Sequence, residues 1–449
     1  MQSTKKSVLN RALLVSIRTP KINDSEAEES LAELARLVTT LGFKVVGTQS
    51  QRQASTKRLT VVGSGKLKEL ADLTGSKGNI DHVEETTDAD DKEEMTGALS
   101  SDVPLALADV VVFDCDLSPS QLRNVENALG VEVFDRTGVI IEIFSRHART
   151  RTARLQVEIA RLNYLSPRLR ESSSGNKERQ MGRGAGESTL ELDRRKVRDR
   201  LGDLRRELVN VEEEMKGRRT QRSENYCVAL VGYTNAGKSS TMRALTGSEV
   251  LVQGKLFATL DTTVRAMYPE TQPRILVSDT VGFIKKLPHD LVASFHSTLD
   301  EAHDASLLLY VVDASDPSFR SQLEVVNEVL HEVGVDDIPK LLLLNKSDQM
   351  NEEQKHNLLQ EFPDAVLISA RNPADISALH ERIVMFAERD MFEEEIVVPY
   401  IAKGVIGEIR ANMRVIKEDY EPDNIRLLVR SRVLDLERVK KMLQPKSVN

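Results

Sequence analysis

The stretch "YCVALVGYTNAGKSSTMRAL", Tyr226 to Leu245, constrains this chain more than any other. An apolar run, Cys227 to Val231, leads into Gly232. Tyr233, Thr234, Asn235 and Ala236 follow, then Gly237-Lys238-Ser239 and a helix-compatible continuation. A buried strand must here hand over abruptly to a helix, and the glycines permit a turn that aims successive backbone N–H groups at one point. The first turn of a helix leaves its N–H groups unbonded and its dipole positive, so the junction suits a phosphate. Lys238 adds a charge placed for β- and γ-phosphates, and Ser239 a hydroxyl able to ligate magnesium. Strand, loop and helix in this order are what the P-loop pattern requires, and they predict an α/β fold around it.

Three further pieces follow in the order such a fold needs. "PRILVSDTVG" reads as a strand ending in Asp279, placed to hold Mg2+ through water, followed by Thr280, Val281 and Gly282, whose backbone N–H can meet a γ-phosphate. "KLLLLNKSD" ends a buried strand in Asn345-Lys346-Ser347-Asp348. An aspartate there accepts both the ring and the exocyclic N–H of guanine while Lys346 lies along the base. "AVLISAR" supplies Ser369-Ala370-Arg371, whose backbone can donate to the guanine oxygen. Adenine presents the wrong donors and acceptors, and buried polar groups left unpaired make the discrimination steep. The nucleotide is therefore expected to be GTP.

Between P-loop and Asp279 lies "GKLFATLDTTVRAMYP", where Thr259, Thr262 and Thr263 each qualify as a threonine that reaches magnesium only while the γ-phosphate is present. Phe283 stands directly after Gly282, where a polar side chain could orient the attacking water. A phenylalanine cannot, so slow intrinsic turnover is expected. Hydrolysis stays possible because phosphoryl transfer is mostly positioning and charge stabilisation, assigned here to Lys238, Thr259, Gly282 and magnesium. The missing factor, on the order of 10³ to 10⁵ when a stabilising group arrives in trans, must come from a partner. Asn235 can hold a monovalent cation such as K+ between the phosphates, or simply shape the loop. His289 reads as a structural helix-start residue rather than a base, and Arg265 starts a strand that turns it away.

The 449 residues predict several domains. Residues 1–148 alternate strand and helix as a small α/β domain, with "LTVVGSGKLKEL" read as short strand, glycine turn and helix, and "VEVFDRTGVIIEIF" read as a strand. An acidic loop near 75–102 interrupts it: Asp81 to Glu94 holds eight acids and one lysine. Residues 149–222 read as a helical hairpin, with Leu155, Ile159 and Leu162 facing Val197, Leu201, Leu204, Leu208, Val211 and Met215 across a Gly- and Ser-rich tip. Residues 223–388 form the nucleotide-binding domain and 389–449 a small α+β domain.

The net charge of −8 argues against a polyanionic partner only if charge is evenly spread, and Arg146 to Arg206 holds 17 Lys and Arg against 8 Asp and Glu. A salt-bridged helix face could account for them. Their continuation through the glycine-rich tip favours a phosphate-binding surface, with RNA as its ligand and no DNA expected. No apolar run approaches a membrane span, and "ALLVSI" near the N-terminus is too short for a secretory signal, so a cytoplasmic location is expected. Cys115 and Cys227 lie far apart in apolar segments and read as core thiols.

Together "GYTNAGKSS", "LFATLD", "DTVGFIKKLPHDLVASFHSTLDEA", "VVDASDP" and "NKSD" resemble the GTPase domain of the HflX family within the translation-factor-related P-loop GTPases. "VVGSGKLKEL", "LSPSQLRN", "DRTGVIIEIF", "ARTRTARLQVEIARLNY" and "GAGESTLELDRR" resemble that family's N-terminal domain and hairpin, so the resemblance covers nearly the whole chain. It implies that Thr259 is the switch threonine and that Phe257, Ala258, Thr259, Leu260 and Asp261 line the nucleotide. It implies too that the metal ligands are Ser239, Thr259 and Asp279, and that the partner is the ribosome, chiefly its large subunit, which the family is associated with splitting or rescuing. Thr262 and Ala185 stand where the family usually has proline. A factor for large-subunit assembly, or an NTP-driven RNA remodeller with an ATP site in the N-terminal domain, are the alternatives.

Overall fold

The computed structural model describes residues 10–20, 22–75, 108–171, 189–222, 225–247, 256–257, 262–272, 274–287, 301–389 and 391–443. They gather into two compact units. One comprises Met1–Val211 with Lys255–Phe257 and Lys286–Phe295; the other comprises Glu212–Gly254, Ala258–Lys285 and His296–Asn449. The acidic stretch 81–94 and the hairpin tip 172–188 lie outside the described residues.

In the first unit, β1 (Arg11–Arg18), β2 (Lys44–Arg52), β3 (Val110–Phe113) and β4 (Glu132–Asp135) form a parallel sheet in the order β2-β1-β3-β4, with helix α1 (Asp24–Thr40) joining β1 to β2. Every residue of β1 from Ala12 to Ile17 is buried, as expected of a parallel strand covered on both faces. Its Leu13, Val15 and Ile17 pack with α2 (Ser64–Thr74) and α3 (Pro119–Leu129) in one core.

Two strand expectations fail in this unit. Residues 59–63 form a turn, because the carbonyls a neighbouring strand would have used are taken by α3. Gln121 Nε2 donates to Thr56 O and Arg58 O, both at 2.7 Å, and Asn124 Nδ2 donates to Leu59 O at 3.1 Å. The strand read over 131–144 stops at Asp135, and helix α4 (Arg136–His147) begins there. Asp135 Oδ1 caps that helix by accepting the Gly138 N–H at 2.7 Å, and Val139, Ile140, Ile143 and Phe144 are buried at helical spacing. Fully buried Arg136 is held by the buried carboxylates of Glu33 and Asp114.

Helices α5 (Arg151–Glu171) and α6 (Thr189–Arg222) meet along Leu155, Ile159, Leu204 and Val211, the seam expected from their spacing. Arg151 pairs with Glu207 at 2.7 Å and Arg200 with Glu158 at 2.8 Å. Part of the basic charge therefore serves the helix pair itself.

The second unit is built on a six-stranded sheet in the order β10-β9-β8-β5-β7-β6. Its strands are β5 (Tyr226–Gly232), β6 (Thr263–Ala266), β7 (Ile275–Asp279), β8 (Leu307–Asp313), β9 (Lys340–Asn345) and β10 (Val366–Leu367). All neighbours are parallel except β6 on β7. Val228 and Leu230 of β5 are fully buried between flanking helices, so the strand order carries the ends of β5, β7, β8 and β9 to the same rim. After β10 in the chain, β11 (Phe392–Pro399), β12 (Arg414–Tyr420) and β13 (Asn424–Ser431) form an antiparallel sheet in the order β11-β13-β12, backed by helices Lys403–Asn412 and Val433–Leu443. The last helix was not foreseen. Cys115 and Cys227 are half-buried thiols, and burial pushes that of Cys115 up to about 12. Among the described residues no helix is long and apolar enough to cross a membrane.

Candidate functional site

The P-loop leaves β5 at Gly232 and enters α7 (Lys238–Thr246) at Gly237. Both glycines are forced. Gly232 has φ +150° and a Cβ there would lie 2.2 Å from the Val311 carbonyl oxygen; Gly237 has φ +103° and a Cβ would lie 2.1 Å from Asn345 Nδ2. Asn235 takes φ +62°, a left-handed conformation that asparagine tolerates, and is exposed. Tyr233, Thr234, Ala236 and Lys238 are buried.

Lys238 curls back over the loop, its Nζ donating to Gly232 O at 2.9 Å and Tyr233 O at 2.8 Å. Burial lowers its pKa from 10.5 to about 8, with Asp279 acting in the opposite direction. Ser239 Oγ donates to Asp279 Oδ2 at 2.7 Å, which puts the two oxygens assigned to magnesium side by side at the ends of α7 and β7. Thr280 Oγ1 donates to Leu230 O at 2.7 Å, tying the residue after β7 to β5.

Gly282 and Phe283 lie directly on the P-loop. Thr234 N donates to Phe283 O at 2.8 Å and Phe283 N to Gly232 O at 3.2 Å, a parallel bridge between Tyr233 and Phe283. A Cβ on Gly282 would meet Thr234 Cα at 2.9 Å and Lys238 Nζ at 3.0 Å, so this approach demands glycine. The Phe283 side chain is 2% exposed: it is a packing residue and offers water nothing.

Asn345 fastens the base-side loops to the P-loop. Its Nδ2 donates to Ala236 O at 2.8 Å, and its Oδ1 accepts from Ala370 N at 3.1 Å. Of the Ser369-Ala370-Arg371 backbone expected to serve guanine, the Ala370 N–H is thus directed at Asn345 in this structure. Lys346, at φ +64°, places Nζ 2.5 Å from Asp313 Oδ2. Asp348 accepts from Ser369 Oγ at 2.7 Å and has Arg371 at 4.0 Å, while Ser347 opens a short 3-10 turn after β9.

Val281, between Thr280 and Gly282, is buried. Ala258, Thr259, Leu260 and Asp261 lie outside the described residues, as does His289. Phe257 is described, but its ring lies edge-on to Phe144 at 4.5 Å within the first unit. Arg265 is exposed on β6, its Nη1 donating to Val264 O.

Three contributors were not read from sequence. Asp313, inside the quoted "VVDASDP", anchors Lys346 because β8 and β9 pair Asp313 with Asn345. Asp375 Oδ2 accepts from Ser369 N at 2.7 Å and shapes the turn there. The Tyr233 hydroxyl accepts from Lys285 N at 2.7 Å. The strand ending in Asp313 was a usable signal for the first; the other two carry none.

Family models match three consecutive regions: "GTP-binding GTPase N-terminal" over residues 28–85 and 93–145, "GTP-binding GTPase Middle Region" over 147–222, and "50S ribosome-binding GTPase" over 227–346. The GTPase HflX of Gluconacetobacter diazotrophicus is 54% identical over 439 residues, which is 96% of this chain and 97% of that one. This chain belongs to the HflX GTPase family. The HflX of Caldanaerobacter subterraneus subsp. tengcongensis is 36% identical, covering 92% of this chain and 89% of its own. A solved structure, a GTP-binding protein from Sulfolobus solfataricus in complex with GDP, is 23% identical with a TM-score of 0.44, covering 85% of this chain and 99% of its own. Membership of that family, with the matched GTPase model, makes the chain an enzyme that binds and hydrolyses GTP. The break in the N-terminal match, between residues 85 and 93, falls in the acidic stretch.

Proposed function

We propose that this HflX GTPase is a switch that associates with the ribosome, chiefly its large subunit, grips ribosomal RNA through the basic helical pair, and couples GTP hydrolysis to splitting or rescuing stalled particles. The single observation behind the need for a partner is the burial of Phe283 against the P-loop, which leaves that position without a polar side chain for the attacking water. The family-model description "50S ribosome-binding GTPase" over residues 227–346 supports the ribosome as that partner. Arg161, Arg198 and Arg205 support the RNA contact: they are exposed on α5 and α6 and show no carboxylate partner among the described residues, unlike Arg151 and Arg200.

In this reading Lys238 exchanges its two backbone carbonyls for β- and γ-phosphate oxygens, and the Gly282 N–H meets the γ-phosphate. Ser239 and Asp279 hold Mg2+, for which two adjacent oxygens are the donor chemistry expected. When bound, magnesium neutralises charge on the phosphates and offsets that developing on the β–γ bridging oxygen. Water attacks the γ-phosphorus, the bond to the bridging oxygen breaks, and GDP and phosphate leave. Thr259 serves as the switch threonine. Asp348 selects guanine, with Lys346, held by Asp313, beside the base.

Phosphate release with purified 70S and 50S particles tests the proposal. Turnover should rise at least severalfold over the protein alone; a flat response refutes supply in trans. Arg161→Gln/Arg198→Gln/Arg205→Gln should weaken co-sedimentation and make it less salt-dependent, by roughly 0.7 to 0.9 in the log–log slope for each phosphate that an arginine no longer neutralises. Dissociation of 70S particles favours splitting, whereas accumulation of precursor subunits on depletion favours an assembly role.

A further inference from the structure

The Tyr233 side chain makes a bond that a phosphate-binding loop does not require. The two backbone bonds between the P-loop and Phe283 are open to any sequence, but the third is specific. The Lys285 N–H donates to the Tyr233 hydroxyl at 2.7 Å, from a tyrosine only 5% exposed. Phe283, at the bridge, and Ile284, next to it, are buried as well, so the segment leading to Lys285 is packed and hydrogen-bonded rather than loose. Consequently Gly282 is held where a Cβ would meet Thr234 Cα at 2.9 Å and Lys238 Nζ at 3.0 Å.

We propose that Tyr233 is a positioning residue for GTP hydrolysis. Its hydroxyl, through the Lys285 amide, sets where the Gly282 peptide lies relative to Lys238, and so does part of the work left undone by the apolar Phe283. The proposal rests on the reading of Gly282 as the γ-phosphate-facing amide. The ring of Tyr233 packs and the hydroxyl measures: removing the oxygen leaves the loop glycines, Lys238, Ser239 and Asp279 in place but loosens the segment after β7. A bond of this kind contributes on the order of tenfold to an equilibrium, and a misplaced donor lowers the rate without altering how tightly the nucleotide is held.

The test is Tyr233→Phe in the full chain, without ribosomes. It compares single-turnover hydrolysis of saturating Mg-GTP, Kd for GTP and for GDP, and hydrogen exchange of the Lys285 amide. The expected result is a rate about 10-fold lower, both Kd values within twofold of wild type, and Lys285 exchange at least 10-fold faster while the amides of α7 keep their protection. Faster exchange with an unchanged rate makes the hydroxyl a purely structural group and overturns the proposal. Unchanged exchange overturns it too, as does equal weakening of GTP and GDP with no loss of rate. Should the variant not fold, wild type decides: a Lys285 amide exchanging as fast as an open loop amide refutes the bond. Because turnover is read on the protein alone, absent ribosomal stimulation sinks the partner reading and leaves this result standing.

Discussion

Replacing Asn345 by alanine breaks a side-chain link between the P-loop and the base-side loop. Two bonds disappear, from Nδ2 to Ala236 O at 2.8 Å and to Oδ1 from Ala370 N at 3.1 Å. The losses are unequal. Ala236 is 1% exposed, so its carbonyl stays dry and unbonded at a cost of about 1 to 3 kcal/mol, whereas the half-buried Ala370 N–H can find water and loses about 0.5 to 1 kcal/mol. If this link holds the two loops at the spacing a nucleotide requires, GDP affinity should fall by about 2 kcal/mol, roughly 30-fold. Gly237 supplies a sharper test, because its missing Cβ is the space Asn345 occupies, 2.1 Å from Nδ2. Gly237→Ala alone must both strain a φ of +103° and expel the amide. In the double variant the amide is already gone and only the strain remains, so the two losses should be sub-additive by about 1 to 2 kcal/mol. Calorimetric titration of GDP into the four proteins reads this directly. Strict additivity, or an Asn345→Ala affinity within twofold of wild type, would mean that the two loops are set independently.

Other expectations follow from buried polar groups. Lys238, at about 8 in the folded chain against 10.5 for an unperturbed amine, loses its proton first in the folded state, so folding carries a cost of about 3 kcal/mol below pH 8 that fades as pH rises toward 10.5. Urea unfolding of wild type and Lys238→Met side by side should show parallel stabilities below pH 8 and a relative gain for wild type between 8 and 10.5; parallel curves throughout contradict the desolvated amine. Gly138→Ala drives a methyl to 2.6 Å from the Tyr164 hydroxyl and 3.1 Å from Asp135 Oδ1, and should lower unfolding stability of the first unit by about 1 to 3 kcal/mol while GTP affinity holds. Arg136→Ala takes the guanidinium away from the buried Glu33 and Asp114 carboxylates, leaving Lys286 Nζ 3.7 Å from Asp114, and should cost about 3 to 5 kcal/mol, with Arg136→Met no better because both charges remain. A thermal shift of less than about 2 °C in either Arg136 variant would contradict the charge cluster.

Where a local signal is strong, the sequence is enough. The glycine spacing around Lys238, the aspartate ending β7 and the apolar strand before Asn345 are legible because each places a known group at a strand end, and the sheet then has few ways to arrange the ends. The misreadings have two causes. "VIIEIF" is as apolar as a strand, so its composition hides the local cap by which Asp135 accepts the Gly138 N–H and helix α4 begins. "LTVV" alternates too little to distinguish a strand from a turn, and the deciding partners, Gln121 and Asn124, come from more than sixty residues away.

Sequence by itself determined that the chain carries a phosphate loop, that its base is guanine, and that no polar residue follows Gly282, because these depend on residue type and on spacing along one segment. Tertiary structure alone decided that Phe283 bridges back to Tyr233, that Lys346 leans on Asp313, that Asn345 joins two loops, and that the Phe257 ring packs on Phe144. The physical reason is range. Backbone turns and strand ends are written in neighbouring residues, whereas a hydrogen bond or ring contact between distant segments exists only once strand order and register have fixed which ends meet.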